Sequence, residues 1–309
     1  FTSVAGAQSE EPRAGQMLVM GPWSHGDTGL TQGQLTFPAN AGDIDKQRET
    51  TAWFDWQLAG RENELADAPS VRYYLMGDVD DPSAPGNVWL TANEWPPAGV
   101  FRRMLYLHPH GRLSAQPQPA ESVGTTYRHD PSDPVPTVGG NNLPREETRG
   151  PYDQRDVEAR DDVVVFETEP LPEPMAVAGD IRARLFVSSD AVDTDFMVRL
   201  CDVYPDGRSM LLLEGASRLR YHQSLERETF VDPGEIVGLD VDLGHTAQAF
   251  GLGHRIRIAI SSSNWPRYLV TPNTRAATGA SGASAVATNT IVHDASHRSA
   301  ISLPILPIE

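Results

Sequence analysis

The chain has 309 residues, a mass of 33.7 kDa and a formal net charge of −17. This length suffices for one large domain or two ordinary ones, and 39% hydrophobic residues are typical of a globular protein. So acidic a surface repels phosphate backbones, which argues against nucleic-acid binding. No apolar stretch reaches the ~18 residues of a membrane helix and no signal peptide is visible, so no membrane role is predicted. The chain begins at Phe1 rather than Met, which favours a piece of a longer protein and leaves its cellular location undecided.

The first sixty residues have the pattern of a strand, a loop and a helix. The short apolar run Met17–Met20 predicts a buried strand of a parallel sheet. A helix is predicted over residues 44–59, with Asp43 as its N-cap and Asp45 in its first turn. Gly60 is placed to end that helix. These elements, in this order, are typical of the last unit of an α/β sheet.

From Val71 onward the apolar residues alternate with a period of two, which predicts short strands. Gly and Pro separate these runs, so the pattern predicts a β-sandwich or jelly roll. Cys201, the single cysteine, lies in one such run and is expected to be a buried core side chain. Two stretches lack a period: residues 114–162 are rich in Pro, Gly and acidic residues, and residues 279–290 are predicted to form a flexible surface loop. The predicted strands cover residues 71–76, 104–107, 181–187, 196–201, 210–213, 237–243 and 255–260.

The segment Gly21-Pro22-Trp23-Ser24-His25-Gly26 carries the main chemical signal. Ligands of α/β sheets bind beyond the carboxyl ends of the strands, and a histidine there suits a general base because its pKa is near neutrality. Ser24 is not expected to be a nucleophile, since no Gly-x-Ser-x-Gly elbow surrounds it. The residues alone leave open that His25 is an ordinary surface histidine.

The Gly-Pro-Trp-x-His segment resembles the catalytic-histidine motif of the cocaine-esterase and Xaa-Pro dipeptidyl-peptidase families. Further segments are similar to these families in the same order over nearly the whole chain, namely residues 53–60, 71–77, 130–140, 193–196, 202–207 and 253–257. The resemblance implies a mainly β fold, with a C-terminal jelly-roll, galactose-binding-like β-sandwich preceded by the last strand-loop-helix of an α/β-hydrolase domain. It also implies that residues 1–66 end the catalytic domain and that residues 67–309 form the jelly-roll domain.

The same resemblance implies that His25 is the catalytic base of a serine hydrolase. Its substrate would be a small-molecule ester, an amide or a peptide cleaved by dipeptidyl-peptidase activity, and no cofactor is implied. In α/β-hydrolases the triad runs Ser, then Asp or Glu, then His. Too few residues precede His25 to hold the other two members, so the nucleophile and the acid are expected in a missing N-terminal catalytic portion. This chain alone is therefore expected to be inactive or nearly so.

A loop of the β domain reaches the catalytic cleft in these families. The stretch Asp133–Leu143 is the candidate here, with Leu143 as an apolar wall and Asn142 as a polar contact. A surface crossover between strands explains the same stretch equally well. Trp23 is expected either to line the substrate pocket or to anchor the loop before His25.

A different class of function also fits the strand pattern. Jelly rolls host many binding functions, so the alternative is a non-catalytic β-sandwich module that binds carbohydrate or protein. No metal site is predicted, because His293 and His297 lack the adjacent Glu and a third ligand. The sequence leaves a homo-oligomer open.

Overall fold

The computed structural model describes residues 15–26, 28–118, 124–143, 149–277 and 284–308, and these form a mainly β protein. The α-helices among them are α1 (Lys46–Ala59) and α2 (Arg155–Glu158). Neither has the length and apolar character that crossing a bilayer requires. The strands are β1 (Leu18–Met20), β2 (Thr31–Gln32), β3 (Leu35–Thr36), β4 (Val71–Leu75), β5 (Val88–Ala92), β6 (Phe101–His108), β7 (Arg112–Ser114), β8 (Thr125–His129), β9 (Val164–Glu167), β10 (Met175–Ser189), β11 (Asp195–Val203), β12 (Ser209–Arg218), β13 (Val237–Phe250), β14 (Arg255–Ser261), β15 (Ala287–Val292) and β16 (Ala300–Leu306).

A small three-stranded sheet contains β1, β4 and β5 in the order β1-β4-β5. Strand β1 runs parallel to β4, with Leu18 opposite Val71 and Met20 opposite Tyr73, as the apolar run predicted. The burial prediction for this strand was only partly right, since the three residues of β1 are half-buried. Leu18 and Met20 pack against the buried Val71 and Tyr73. The loop that leaves β1 therefore starts from a fixed edge of this sheet.

The large sheet has eleven strands in the hydrogen-bonded order β12-β11-β14-β9-β7-β6-β16-β10-β15-β8, with β13 also paired to β10. Strand β10 is fifteen residues long and pairs with β13, β15 and β16, so it connects the halves of this sheet. Its alternating Ile181, Ala183, Leu185 and Val187 are fully buried, as the period of two predicts. The main apolar core lies along this strand and β11, β13 and β14.

Helix α1 begins two residues later than predicted. Asp45, not Asp43, is its N-cap, and its carboxylate accepts hydrogen bonds from Gln47 N (3.0 Å) and Arg48 N (3.1 Å). Gly60 ends the helix in the left-handed conformation (φ 65°), as predicted. The helix has no fully buried residue, and two of its large apolar side chains are exposed to solvent, Phe54 at 48% and Leu58 at 77%.

Two of the predicted irregular stretches contain regular structure. Strand β8 and helix α2 lie inside residues 114–162, which the sequence predicted to have no period. Residues 287–290, predicted as flexible loop, belong to β15, because Ala287 and Asn289 point into the interior; residues 278–283 lie outside the described part. Strands β11 and β12 pair antiparallel as a hairpin, and the predicted burial of Cys201 is confirmed.

A separate apolar cluster joins the N-terminal segment to the large sheet. Leu35 and Phe37 from the segment after β1 pack with Tyr74 of β4 and with Tyr204 and Met210 near the β11–β12 turn. The rings of Phe37 and Tyr74 meet edge to face, 6.1 Å between centroids. Burying aromatic area in this way holds the loop after β1 against the β domain.

Candidate active site

His25 lies in the loop that follows β1, and its side chain is exposed. The loop is held through its backbone: Ser24 N donates to Gln32 Oε1 at 2.8 Å, and Arg149 Nη1 donates to the His25 carbonyl oxygen at 2.5 Å. Within the described residues, no hydrogen bond to the His25 ring is found. The loop thus has a fixed backbone and an imidazole that remains available to a reactant.

Trp23 folds back over the backbone that precedes it. A Cβ at position 21 would overlap the Trp23 ring, so Gly21 permits this close approach. The Trp23 ring also lies 5.7 Å from that of Trp89, and Lys46 Nζ lies 5.9 Å from its centroid. These contacts anchor the loop.

A cavity of about 280 Å³ lies between this loop and the β domain. Trp23 and Ser24 form one side, and Gly140 and Asn141 form another. The rest of the wall is largely apolar, with a few buried polar groups such as Gln248. The structure therefore brings the predicted histidine loop and part of the Asp133–Leu143 stretch to one cavity. His25 itself is not part of the cavity wall.

The two residues proposed at the tip of that stretch have opposite environments. The Asn142 side chain is buried, and its Nδ2 donates to Gly139 O at 2.7 Å, within its own turn. Leu143 is 67% exposed. Leu143 thus presents an apolar side chain to solvent outside the cavity wall, whereas Asn142 uses its amide group in shaping the turn.

The sequence did not predict a buried ionic cluster that lies below the cavity. His254 Nδ1 lies 2.7 Å from Asp202 Oδ1, and His254 Nε2 lies 3.2 Å from Asp78 Oδ2. Burial alone would lower the pKa of His254, but the hydrogen bonds and charges of the two carboxylates outweigh it and raise the pKa. Asp202 also accepts a hydrogen bond from Gln248 Nε2 (3.1 Å), and the ring of Tyr204 lies 4.5 Å from that of His254.

The cluster joins distant parts of the chain. Asp78 follows β4, Asp202 lies in β11, and His254 occupies the turn before β14. The only signal in the sequence was a histidine between a glycine-containing turn and a strand, and this arrangement is common in surface turns as well.

These features define a mainly β protein in which a small mixed sheet adjoins the large one, with an exposed histidine beside a cavity. A family model described as the X-Pro dipeptidyl-peptidase C-terminal non-catalytic domain matches residues 63–302. The chain is 38% identical over 303 residues to the cocaine esterase of Rhodococcus sp., covering 94% of this chain and 51% of that protein. It thus spans about half the length of this relative.

Two solved structures resemble the fold closely. An aminopeptidase from a Thaumarchaeota archaeon superposes with a TM-score of 0.83 at 28% identity, over 94% of this chain and 50% of that one. An α-amino acid ester hydrolase superposes with a TM-score of 0.82 at 29% identity, over 96% of this chain and 52% of that one.

The chain belongs to the X-Pro dipeptidyl-peptidase C-terminal domain family, and the predicted relationship to the C-terminal part of the cocaine-esterase type of hydrolase is confirmed. The similarity extends beyond residues 63–302 to most of the chain.

Proposed function

We propose that this chain forms the C-terminal part of a serine hydrolase that cleaves ester or amide bonds. His25 is the general base in this proposal: it takes the proton of a serine hydroxyl as the serine attacks the carbonyl carbon, and it later donates that proton to the leaving group. The serine and the carboxylate that orients His25 belong to an N-terminal catalytic portion outside this chain.

The position and exposure of His25 carry the proposal. Its loop follows β1 at the carboxyl end of a parallel strand pair, where α/β sheets bind their ligands. The backbone of the loop is held by Gln32 and Arg149, so the ring is presented from a fixed support. A base needs both an accessible ring and a defined position, because proton transfer requires hydrogen-bond reach.

The substrate-facing role of the β domain is a second part of the proposal. Leu143 supplies an apolar wall, Asn142 shapes the turn that presents it, and Trp23 supports the histidine loop. The proposal includes a jelly-roll, galactose-binding-like topology for the β domain, residues 67–309. The relatives' names support esters, amino acid esters and peptides as substrate classes, and all three contain a carbonyl open to attack by serine.

A carbohydrate- or protein-binding module is less well supported. Helix α1 exposes the apolar side chains of Phe54 and Leu58. A free-standing binding module would not need such side chains on a helix that faces solvent. In the proposed hydrolase, the catalytic portion covers this face.

The test uses the whole protein, meaning this chain together with the catalytic portion, and p-nitrophenyl acetate as substrate. His25→Ala should lower kcat by about three orders of magnitude or more. Its melting temperature should stay within about 1 °C of the wild type, because exposed side chains contribute little to stability.

His110→Asn is the matched control. His110 is another exposed histidine, on a turn with φ 60° that asparagine tolerates, and its replacement should leave kcat unchanged. A fluorophosphonate probe should add one adduct to the wild-type protein. Near-normal turnover of His25→Ala, or absence of the adduct, would rule out the proposed mechanism.

A further inference from the structure

Arg267 makes contacts that connect the turn beside the cavity to the β domain. Its Nη1 donates to Asn141 O and to Asn142 Oδ1, the latter at 3.2 Å, and lies 3.2 Å from Glu214 Oε1. One nitrogen therefore meets three oxygens, two of them on the residues that precede the exposed Leu143.

Glu214 is the fixed end of this arrangement. Its side chain is 5% exposed, and its Oε2 accepts a hydrogen bond from Asn264 Nδ2 at 2.6 Å. In the strand register it lies opposite Arg199 of β11, which is fully buried. A carboxylate so enclosed cannot move without losing its partners, which would be costly.

The backbone of Arg267 is fixed as well. Arg267 N donates to Thr137 Oγ1 (3.2 Å), and Thr137 N donates to Trp265 O (2.6 Å). Thr137 Oγ1 in turn donates to Asn264 Oδ1 at 2.7 Å. The segment 264–267 therefore runs beside Thr137 and holds the Arg267 guanidinium against Asn141 and Asn142.

The other end of the loop reaches the histidine. Gly140 and Gly150 exchange two backbone hydrogen bonds of 2.8 and 3.0 Å. Gly140 also lies so close to Glu214 that a Cβ there would overlap Oε1. Arg149, next to Gly150, donates to the carbonyl oxygen of His25. A shift of the turn at Gly140 is thus transmitted to the backbone that presents His25.

We infer that Arg267 is a positioning residue for the proposed reaction: through Glu214 it sets the turn that presents Leu143 and supports the His25 loop. The inference rests on the proposed function, and it adds a specificity role to a residue outside the triad. Because Leu143 contacts the apolar part of a substrate in this proposal, loss of Arg267 affects large acyl groups more than small ones.

The first test measures hydrogen exchange of the whole protein by mass spectrometry. In Arg267→Ala, peptides that cover residues 135–143 should exchange about tenfold faster or more, since each tenfold change reports about 1.4 kcal/mol of lost local stability. Arg267→Lys should restore slow exchange, because the three acceptors meet at a single nitrogen and an ammonium has three donors. Arg184→Ala, which removes an ion pair to Asp240 on the β10–β13 pair, is the matched control and should leave these peptides unchanged.

The second test measures kinetics of the whole protein with p-nitrophenyl acetate and p-nitrophenyl benzoate. Arg267→Ala should lower kcat/KM for the benzoate by about 10- to 100-fold, because a displacement near 1 Å has an effect of this size. The loss should appear mainly as a higher KM. The kcat/KM for the acetate should fall less. The pH profile should stay unchanged, and Arg267→Lys should recover most of the loss.

Equal exchange rates in wild type and Arg267→Ala would overturn the inference, and so would an equal loss of activity on both esters. The exchange result does not depend on catalysis. If His25→Ala remained active, the proposed function would be wrong. The role of Arg267 in fixing the turn before Leu143 would then be tested by hydrogen exchange alone.

Discussion

Replacing His254 with alanine should strongly destabilise the protein. The change removes the partner of Asp202, which is 1% exposed, and of Asp78, which is 8% exposed. Breaking a buried ion pair by deleting one member costs about 3–5 kcal/mol, because a charge is left without compensation. For 309 residues, this corresponds to a fall in melting temperature of about 5–8 °C.

The pH dependence follows from the raised pKa of His254. A group whose pKa rises on folding stabilises the protein fully below its unfolded value, near 6.5, and this stabilisation is lost as the pH rises through the folded value. The wild-type urea midpoint should therefore fall as the pH is raised above about 6.5, and His254→Ala should lose this dependence.

The assay is urea unfolding followed by circular dichroism from pH 5.5 to 9. His297→Ala is the control, since His297 pairs with Asp294 at 3.1 Å with side chains that are 34% and 26% exposed, and such pairs are worth at most about 1 kcal/mol. A loss below about 1 kcal/mol in His254→Ala, or an unchanged pH dependence, would refute the ionic role of the cluster.

Two further predictions concern stability. The pKa of His129 is lowered to about 4 by burial, and its ring nitrogens have no hydrogen-bond partner in the described structure, so stability should fall as the pH drops from 6.5 towards 4. His129→Leu should reduce the fall of the urea midpoint between pH 6.5 and 4. An equal fall in wild type and variant would contradict this role of His129. Asp45→Ala should cost about 1 kcal/mol through loss of the helix cap, whereas Asp43→Ala should be neutral in the same melting experiment. The reverse order of the two variants would contradict the observed cap.

The sequence predicted those elements whose pattern is local. The strict alternation of Ile181, Ala183, Leu185 and Val187 predicts a strand with one buried face. In the structure all four side chains are buried on one face of β10. The helix cap was misassigned because Asp43 and Asp45 are both good caps, and only the surrounding backbone decides between them.

Parts that depend on long-range contacts could not be read from the chain. Strand β15 begins with small and polar residues that continue the Gly-, Ser- and Ala-rich stretch before it, and pairing with β8 and β10 extends the strand back to Ala287. The Asp78–His254–Asp202 cluster combines residues up to 176 positions apart. His25 was predicted from a sequence motif. The hydrogen bonds of Arg149 and Arg267 to the loops beside the cavity are visible only in the folded structure.

The backbone bridge between Gly140 and Gly150 has a consequence for variation among related proteins. Because the bridge holds Gly140 and Gly150 together, the number of residues between them can change without moving either glycine. Doubling the length of a flexible loop costs only about 0.6 kcal/mol in closure entropy. The number of residues between Leu143 and Arg149 can therefore vary while the histidine loop and the strands below it keep their places.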